Sequence, residues 1–338
     1  MGTALFLVRY GEIGIKSPPV RRRFERLLAD NIALALRARG AEGRVEHPWG
    51  RLFVEAPEAA GRDALAHTFG VVSFSPALRT SSELSGLAEV VAREASRIPD
   101  GATFAVRPRR SGEPGYTSND AARALGAAIL EQHRARGLSV DLDEPDAEVF
   151  VEVRGPEAFI AFERVPGPGG LPLGSEGRVA AWVAEPRDAL AAWLVMKRGC
   201  RVDLLAPRGL GEALAKALAP WAPGLELTEV DAGPEERALV LALLEARARR
   251  RGGGAVVVGD RFLDAMALAP LDRTIAMPVF RPLLALEPAM VQQLAARVGV
   301  SLAEGEARAL PRLAPAEGEA RARAEALLAG AATRKVEL

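Results

Sequence analysis

Between residues 166 and 174 the chain reads Pro-Gly-Pro-Gly-Gly-Leu-Pro-Leu-Gly, with proline or glycine at seven of nine positions. Proline lacks an N–H and glycine loses much backbone entropy on ordering, so neither a helix nor an interior strand runs through such a stretch. It is a linker, and the rhythm of the sequence changes across it. Beyond it, apolar strands near 178–184, 200–205, 225–230, 254–259 and 274–279 alternate with helical stretches near 187–198, 210–219, 234–251, 260–268 and 287–297. That alternation predicts an open, mostly parallel, Rossmann-like α/β sheet at about 175–300, a fold that binds ligands at the carboxyl ends of its strands. The tail, 301–338, holds one helix near 316–329 and is otherwise rich in Ala, Glu and Arg.

Upstream of the linker, Ala4–Tyr10 suits a central strand, and Pro18-Pro19 opens a helix from Val20 to about Ala38. Arg44–His47 and Arg51–Ala56 read as strands around a turn at Trp49-Gly50, Arg62–Thr68 as a helix closed by Gly70, and Val71–Ser75 as a strand. The order β-α-β-β-α-β is ferredoxin-like, and residues 1–76 are assigned to it. Residues 77–165 form a second unit: a helix at about Glu83–Arg97, a strand at Thr103–Arg107, and a helix started by Thr117-Ser118-Asn119-Asp120. A hairpin of Glu148–Arg154 and Ala158–Val165, turning at Gly155-Pro156, completes it.

Hydrophobic residues make up 49% of the 338, enough for cores in two or three domains. No apolar run reaches the roughly 18–20 residues of a membrane span, so no membrane role is expected. The start, Met1–Phe6, has no basic region of the signal-peptide kind. A lone cysteine, Cys200, excludes an internal disulfide, and a reducing cytoplasm is the expected location. The three histidines, His47, His67 and His133, are scattered, which leaves no zinc pattern and disfavours a zinc deaminase. Gly252-Gly253-Gly254 precedes a strand, so it reads as a turn and not as a dinucleotide loop.

Net charge is zero, yet basic residues cluster at Arg9, Lys16, Arg21, Arg22, Arg23 and Arg26, and again at Arg107, Arg109 and Arg110. Local basic patches on a neutral chain fit a defined nucleic-acid face. Candidate RNA contacts are Lys16, Arg21, Arg22, Arg23, Arg107, Arg109 and Arg110, with Tyr116 able to stack on an unpaired nucleotide. Plain solvated surface is the competing reading for about half of them.

Several ordered segments carry a family resemblance. Val8-Arg9-Tyr10-Gly11-Glu12-Ile13-Gly14-Ile15-Lys16-Ser17, Phe69–Ala77, Phe104-Ala105-Val106-Arg107-Pro108-Arg109-Arg110-Ser111, Tyr116-Thr117-Ser118, Val140–Asp146, Val151–Arg154, the linker, Met196-Lys197-Arg198-Gly199-Cys200-Arg201-Val202 and Met277–Leu283 resemble the tRNA 4-thiouridine synthases, also called thiamine-biosynthesis sulfurtransferases. The resemblance implies a ferredoxin-like domain and a THUMP domain that bind the tRNA acceptor stem and 3′ end. It also implies a PP-loop pyrophosphatase domain that uses ATP and Mg to adenylate a uridine, after which a cysteine persulfide delivers sulfur.

The family's loop, Ser-Gly-Gly-x-Asp-Ser after the first strand, falls here on Val183-Ala184-Glu185-Pro186-Arg187-Asp188 when counted back from Met196, or on Ala184–Ala189, with Asp188 in the family's aspartate position, when counted forward from Gly174; neither register has a glycine. Proline cannot donate an N–H, and Glu185 would oppose a triphosphate. The stretch Val258–Met266 lacks the family's later Ser-Gln-Thr-like element, and no cysteine follows Leu283. Cys200 reads as a packed core thiol, and Asp260 as a helix cap. The expectation is a tRNA-binding relative with a degenerate loop, no catalytic residue, no cofactor and no chemistry of its own. A homodimer or a catalytic partner subunit is compatible with that expectation. The alternative is an active tRNA uridine sulfurtransferase with a divergent loop, using ATP and Mg and a sulfur donor in trans. A protein-assembly module with incidental basic patches is the third reading.

Overall fold

A computed structural model describes residues 2–47, 50–112, 115–302 and 317–338; Trp49, half of the expected turn, lies outside them. The upstream elements are β1 (Thr3–Tyr10), α1 (Pro18–Ala38), β2 (Arg44–Glu46), β3 (Leu52–Pro57), α2 (Glu58–Ala66), β4 (Val71–Ser81), α3 (Leu84–Glu94), β5 (Thr103–Ser111), α4 (Ser118–Gln132), β6 (Ser139–Val140), β7 (Ala147–Arg154), β8 (Glu157–Ala161) and β9 (Val165–Pro166). The first six follow the expected β-α-β-β-α-β order. Downstream come β10 (Arg178–Trp182), α5 (Pro186–Lys197), β11 (Arg201–Pro207), α6 (Glu212–Leu218), β12 (Glu226–Val230), α7 (Arg237–Arg250), β13 (Ala255–Val257), α8 (Phe262–Leu268), β14 (Val279–Phe280), α9 (Pro288–Val298), α10 (Glu317–Gly330) and β15 (Thr333–Lys335). These elements gather into two compact units, one of Met1–Tyr10, Glu42–Ala66 and Val72–Gly167, the other of Gly11–Ala41, His67–Val71 and Pro168–Leu338.

In the first unit the strands form one sheet in the order β2-β3-β1-β4-β8-β7-β5-β6, with β9 also pairing β4. The long β4 makes this possible: it outruns the expected Val71–Ser75, pairing β9 at Ser73 and Phe74 and β8 from Leu78 to Ser81. Helices α3 and α4 cover part of this sheet through Leu87, Val91, Leu125 and Ile129, which pack with Phe104, Val106, Val149 and Val151. Thr117 and Asp120 form the expected capping box on α4. Helix α3 is capped by Glu83, whose carboxylate accepts from Ser85 N at 3.0 Å and Gly86 N at 2.9 Å.

The Ser85 hydroxyl, then the Gly86 and Ser85 amides, hold the Glu83 carboxyl at about 2, below its ordinary 4.5. A depressed pKa of this kind stabilises fully above the unfolded value and is lost as pH falls through about 2. Urea midpoints of wild type and Glu83→Gln are therefore expected to differ most near neutral pH and to converge by pH 2. A constant gap across that range would show that the carboxylate's charge plays no part in the cap.

The second unit is built on a sheet in the order β14-β13-β10-β11-β12-β15, parallel except for the antiparallel pair β12/β15. One apolar layer contains Trp193, Met196, Leu204 and Leu227, and the other contains Trp182, Leu205 and the run Ala238–Leu244 of α7. Phe69, Trp193 and Trp221 form an aromatic cluster with ring centroids 5.3–5.5 Å apart. The tail carries more structure than its composition suggests. Helix α10 contributes Ala320, Ala324 and Leu328 to the second layer, and β15 adds an edge strand. A polar Thr-Arg-Lys strand gives no apolar alternation to read, and it suits an edge for that reason.

Candidate functional site

Arg9 lies in the fully buried part of β1 and is only 8% exposed. A charge there needs partners: its Nη1 donates to Ser75 Oγ at 2.9 Å. Burial, then the nearby Arg164, lowers its pKa to about 10, with Arg51 and Arg109 acting the same way and Glu152 opposing. Arg9, Arg107, Arg109 and Arg164 line a cavity of about 610 Å³, together with Glu148 and Glu152. Arg107 is held by Glu148 Oε1 and the Leu142 carbonyl, both at 2.8 Å. Glu152 accepts from Arg51 and Arg154 at 2.9 and 2.8 Å. The parallel β5/β7 pair, in register from Phe104/Ala147 to Ser111/Arg154, puts Arg107 and Arg109 on one edge of this cavity. An excess of arginine over carboxylate around a concavity is suited to binding phosphate oxygens.

Arg110 does not line the cavity; it donates to the Tyr116 carbonyl at 2.5 Å and to Ser118 Oγ at 3.3 Å. Tyr116 packs on the α3/α4 core and donates its hydroxyl to the Ser82 carbonyl at 2.6 Å. Lys16, Arg21, Arg22 and Arg23 belong to the second unit, with Lys16 closing a short 3-10 turn and the arginines on the first turns of α1. Arg21 donates to the Gly14 carbonyl, and Arg23 lies over the Phe24 ring at 5.1 Å. Arg9 and Arg164 are absent from the candidates read off the sequence. The available signal was an arginine inside an apolar central strand.

The turn after β10 is more regular than its composition suggests. Glu185 is the N-cap of α5, Pro186 takes N1, and Asp188 sits at N3. Proline at N1 forfeits no bond, because that N–H has no partner inside the helix. No non-glycine residue of the described chain has a positive φ, so the turn needs no glycine for its backbone shape. Asp188, 1% exposed, accepts from Ala184 N and Glu185 N at 3.1 Å each and from Gly259 N at 3.2 Å. Glu185 does not stand uncompensated, since Arg187 Nε reaches it at 2.7 Å while Arg187 Nη1 binds Asp264 at 2.9 Å.

Asp260 is not a cap, which corrects the sequence reading. Arg261 is the N-cap of α8 and Asp264 accepts its N–H at 3.0 Å. Asp260 is instead fully buried, accepting from Arg237 Nη2 at 2.6 Å and Arg281 Nε at 3.0 Å. Arg281 is also forked onto Asp272 at 2.7 and 2.8 Å. These pairs gather at the carboxyl ends of β10, β13 and β14, where the sheet topology places a ligand crevice. Cys200 is buried as expected, and burial, then Glu176, raises its thiol pKa. Among the described residues no His, Cys, Asp and Glu cluster could hold a metal, and no helix is long and apolar enough to cross a membrane.

Two domain families match this sequence: the ThiI ferredoxin-like domain over residues 5–75 and the THUMP domain over residues 79–163. A probable tRNA sulfurtransferase of Methanosarcina mazei is 32% identical over 335 residues, covering 88% of this chain and 83% of its own. One from Halobacterium salinarum is 36% identical over 322 residues, covering 84% and 81%. Among solved structures, PH1313 of Pyrococcus horikoshii superposes with a TM-score of 0.74 at 28% identity, over 88% of this chain and 100% of that one. A 4-thiouridine synthetase–RNA complex with bound ATP gives 0.79 over 99% and 100% of the two chains, and at 21% identity that likeness bears on the fold.

The relatives overturn the expectation of a chain with no chemistry of its own. They carry the name of the enzyme, and a match over 84–88% of the chain must take in the α/β unit. The expectation rested on a turn with a proline, an opposed glutamate and no glycine, and on the lack of the later Ser-Gln-Thr-like element and of a cysteine after Leu283. In the structure Pro186 and Glu185 have local roles that leave the start of α5 a regular helix N-terminus.

Proposed function

This chain belongs to the tRNA sulfurtransferase family, and on that premise we propose that it is itself an ATP-dependent tRNA uridine sulfurtransferase with a divergent phosphate turn and a sulfur donor in trans. The observation that carries this reading is the identity of 32–36% to tRNA sulfurtransferases over most of both chains. The ferredoxin-like and THUMP segments, 1–76 and 77–165, grip the acceptor stem and 3′ end of tRNA. The linker, 166–174, joins them to the α/β domain at 175–300, and the tail follows at 301–338.

ATP is a substrate here, and the donors for its phosphates lie at the carboxyl ends of the strands. The N-terminus of the 12-residue α5, the Arg187 guanidinium and the exposed Arg261 at the start of α8 suit phosphate oxygens. ATP supplies the adenylyl group that makes the uridine oxygen a leaving group, with Mg bound alongside the phosphates. Arg187, held by Glu185 and Asp264, fixes the start of α5, and Asp188 keeps the turn closed on Gly259. The sulfur comes from a separate carrier or from sulfide, because the chain's lone thiol is buried and its pKa is raised.

The test incubates the full chain with an unmodified tRNA transcript, MgATP and either sulfide or a persulfide-charged carrier, and scores 4-thiouridine by mass. Product is expected only with ATP and a donor both present. The absence of both thiouridine and AMP under every donor condition would reject the proposal. Cys200→Ala is expected to retain at least half of the rate; a folded variant with none would put the donor in cis.

RNA affinity is expected to fall linearly in log–log form with salt, as phosphates neutralised by arginine release counterions. Arg109→Glu, on the exposed rim, is expected to lower affinity about tenfold and flatten the salt slope by about one or more. An unchanged slope in filter binding would remove the cavity from the RNA face.

A further inference from the structure

The second unit has a cavity of about 260 Å³ at the opposite end of its sheet from the phosphate turn. It opens at the amino ends of β10, β11 and β12, whose first residues, Arg178, Arg201 and Glu226, line it. A five-residue strand separates the two ends by roughly 17 Å. The family crevice at the carboxyl ends therefore does not account for this cavity.

Its charges do not balance. Arg178 Nη1 binds Asp203 Oδ1 at 2.8 Å, and Arg251 binds Glu226 Oε2 at 2.8 Å while lying 3.6 Å from Asp203. Arg247, behind them, reaches the same Glu226 oxygen at 3.5 Å. Arg201 is exposed at the rim with no carboxylate in ion-pair range among the described residues. Three guanidiniums thus share two carboxylates, and a fourth, Arg201, has none. Burial lowers the Arg247 pKa, and Arg251 and Arg178 push it the same way. Donors beside the site remain unmet: Arg247 Nε and Nη2 are buried without a hydrogen-bond partner. Asp203 itself is 1% exposed.

The wall also makes room for Arg201. Gly174, at φ +93°, lies under it, and a Cβ there would come within 2.7 Å of Arg201 Nε. A surplus of guanidiniums around a concavity is relieved by a small oxyanion, which takes several N–H bonds at once. We propose that this cavity is a second ligand site that binds a phosphate group, as free phosphate or as a nucleoside monophosphate.

The experiment titrates the full chain, without RNA or sulfur donor, with inorganic phosphate and separately with AMP, in a calorimeter. Saturable binding is expected, weakened at least tenfold by Arg201→Glu and retained in Arg261→Ala, an exposed change at the other end of the sheet. AMP binding tenfold tighter than phosphate identifies a nucleotide as the source; equal affinities identify free phosphate, and both support the site. No saturable binding of either probe, an unchanged affinity in Arg201→Glu, or a loss in Arg261→Ala instead would each overturn it. Because thiolation is not measured, failure of the sulfurtransferase reading leaves this result intact.

Discussion

Replacing Asp260 by alanine is expected to destabilise the α/β unit by about 3–5 kcal/mol, because removing one member of a buried ion pair strands its partner. Asp260 is 0% exposed and Arg237 only 3%, with 2.6 Å between their charged atoms. Arg281 keeps Asp272 in the variant. Three buried tryptophans, Trp182, Trp193 and Trp221, report on this unit by fluorescence. With a urea slope of about 2 kcal/mol per molar, the midpoint should drop by roughly 1.5–2.5 M. Adding Arg237→Met to Asp260→Ala is expected to recover more than half of the loss, since an apolar side chain leaves no stranded charge. A single variant within 1 kcal/mol of wild type would show that the pair is not isolated from water. So would a double variant no better than the single.

Gly259→Ala is expected to damage both folding and catalysis. Its Cβ would sit 2.8 Å from Asp188 Cα and 2.9 Å from Asp188 N, both backbone atoms of the first turn of α5. Neither can swing away, so the end of β13 must part from the helix. Overpacking of this kind costs about 1–3 kcal/mol. Loosening Asp188 also leaves the amides of Ala184, Glu185 and Gly259 short of an acceptor, at about 1–3 kcal/mol for each one that stays buried. A loss of about 3 kcal/mol or more is expected in urea titrations. Thiolation should fall at least 100-fold even where the variant is still folded, because the phosphates would be held about 1 Å out of place. Asp188→Asn, which keeps the shape and one acceptor oxygen, should lose less on both counts. Wild-type stability and rate in Gly259→Ala would refute the account of this turn.

Gly259 also shows where sequence reasoning stopped. The residue has no positive φ, so nothing in local turn chemistry marks it as required. What demands a glycine is the approach of a helix that starts about 70 residues earlier in the chain. The loop reading sought glycines inside the turn, where this chain has none, while the close approach uses the one on the neighbouring strand. Asp260 misled for a related reason. A carboxylate just before a helix normally caps it, and only β14 and α7, coming from either side, turn this one into the anchor of Arg237 and Arg281. Arg9 was visible as a charge in an apolar strand, but Arg164 joins it from 155 residues away.

By itself the sequence determined what depends on neighbours along the chain. Period-two runs gave the strands, Thr117 to Asp120 the start of α4, and alternation of strand and helix the parallel sheet. These follow from backbone sterics and from burial of one face, which act within a few residues. The tertiary structure alone decided which charges share a cavity, which arginines are spent on carboxylates and which remain for a ligand. Charges are strong or weak according to what surrounds them in space, and in a low-dielectric interior a partner a hundred residues distant outweighs the next residue in the chain.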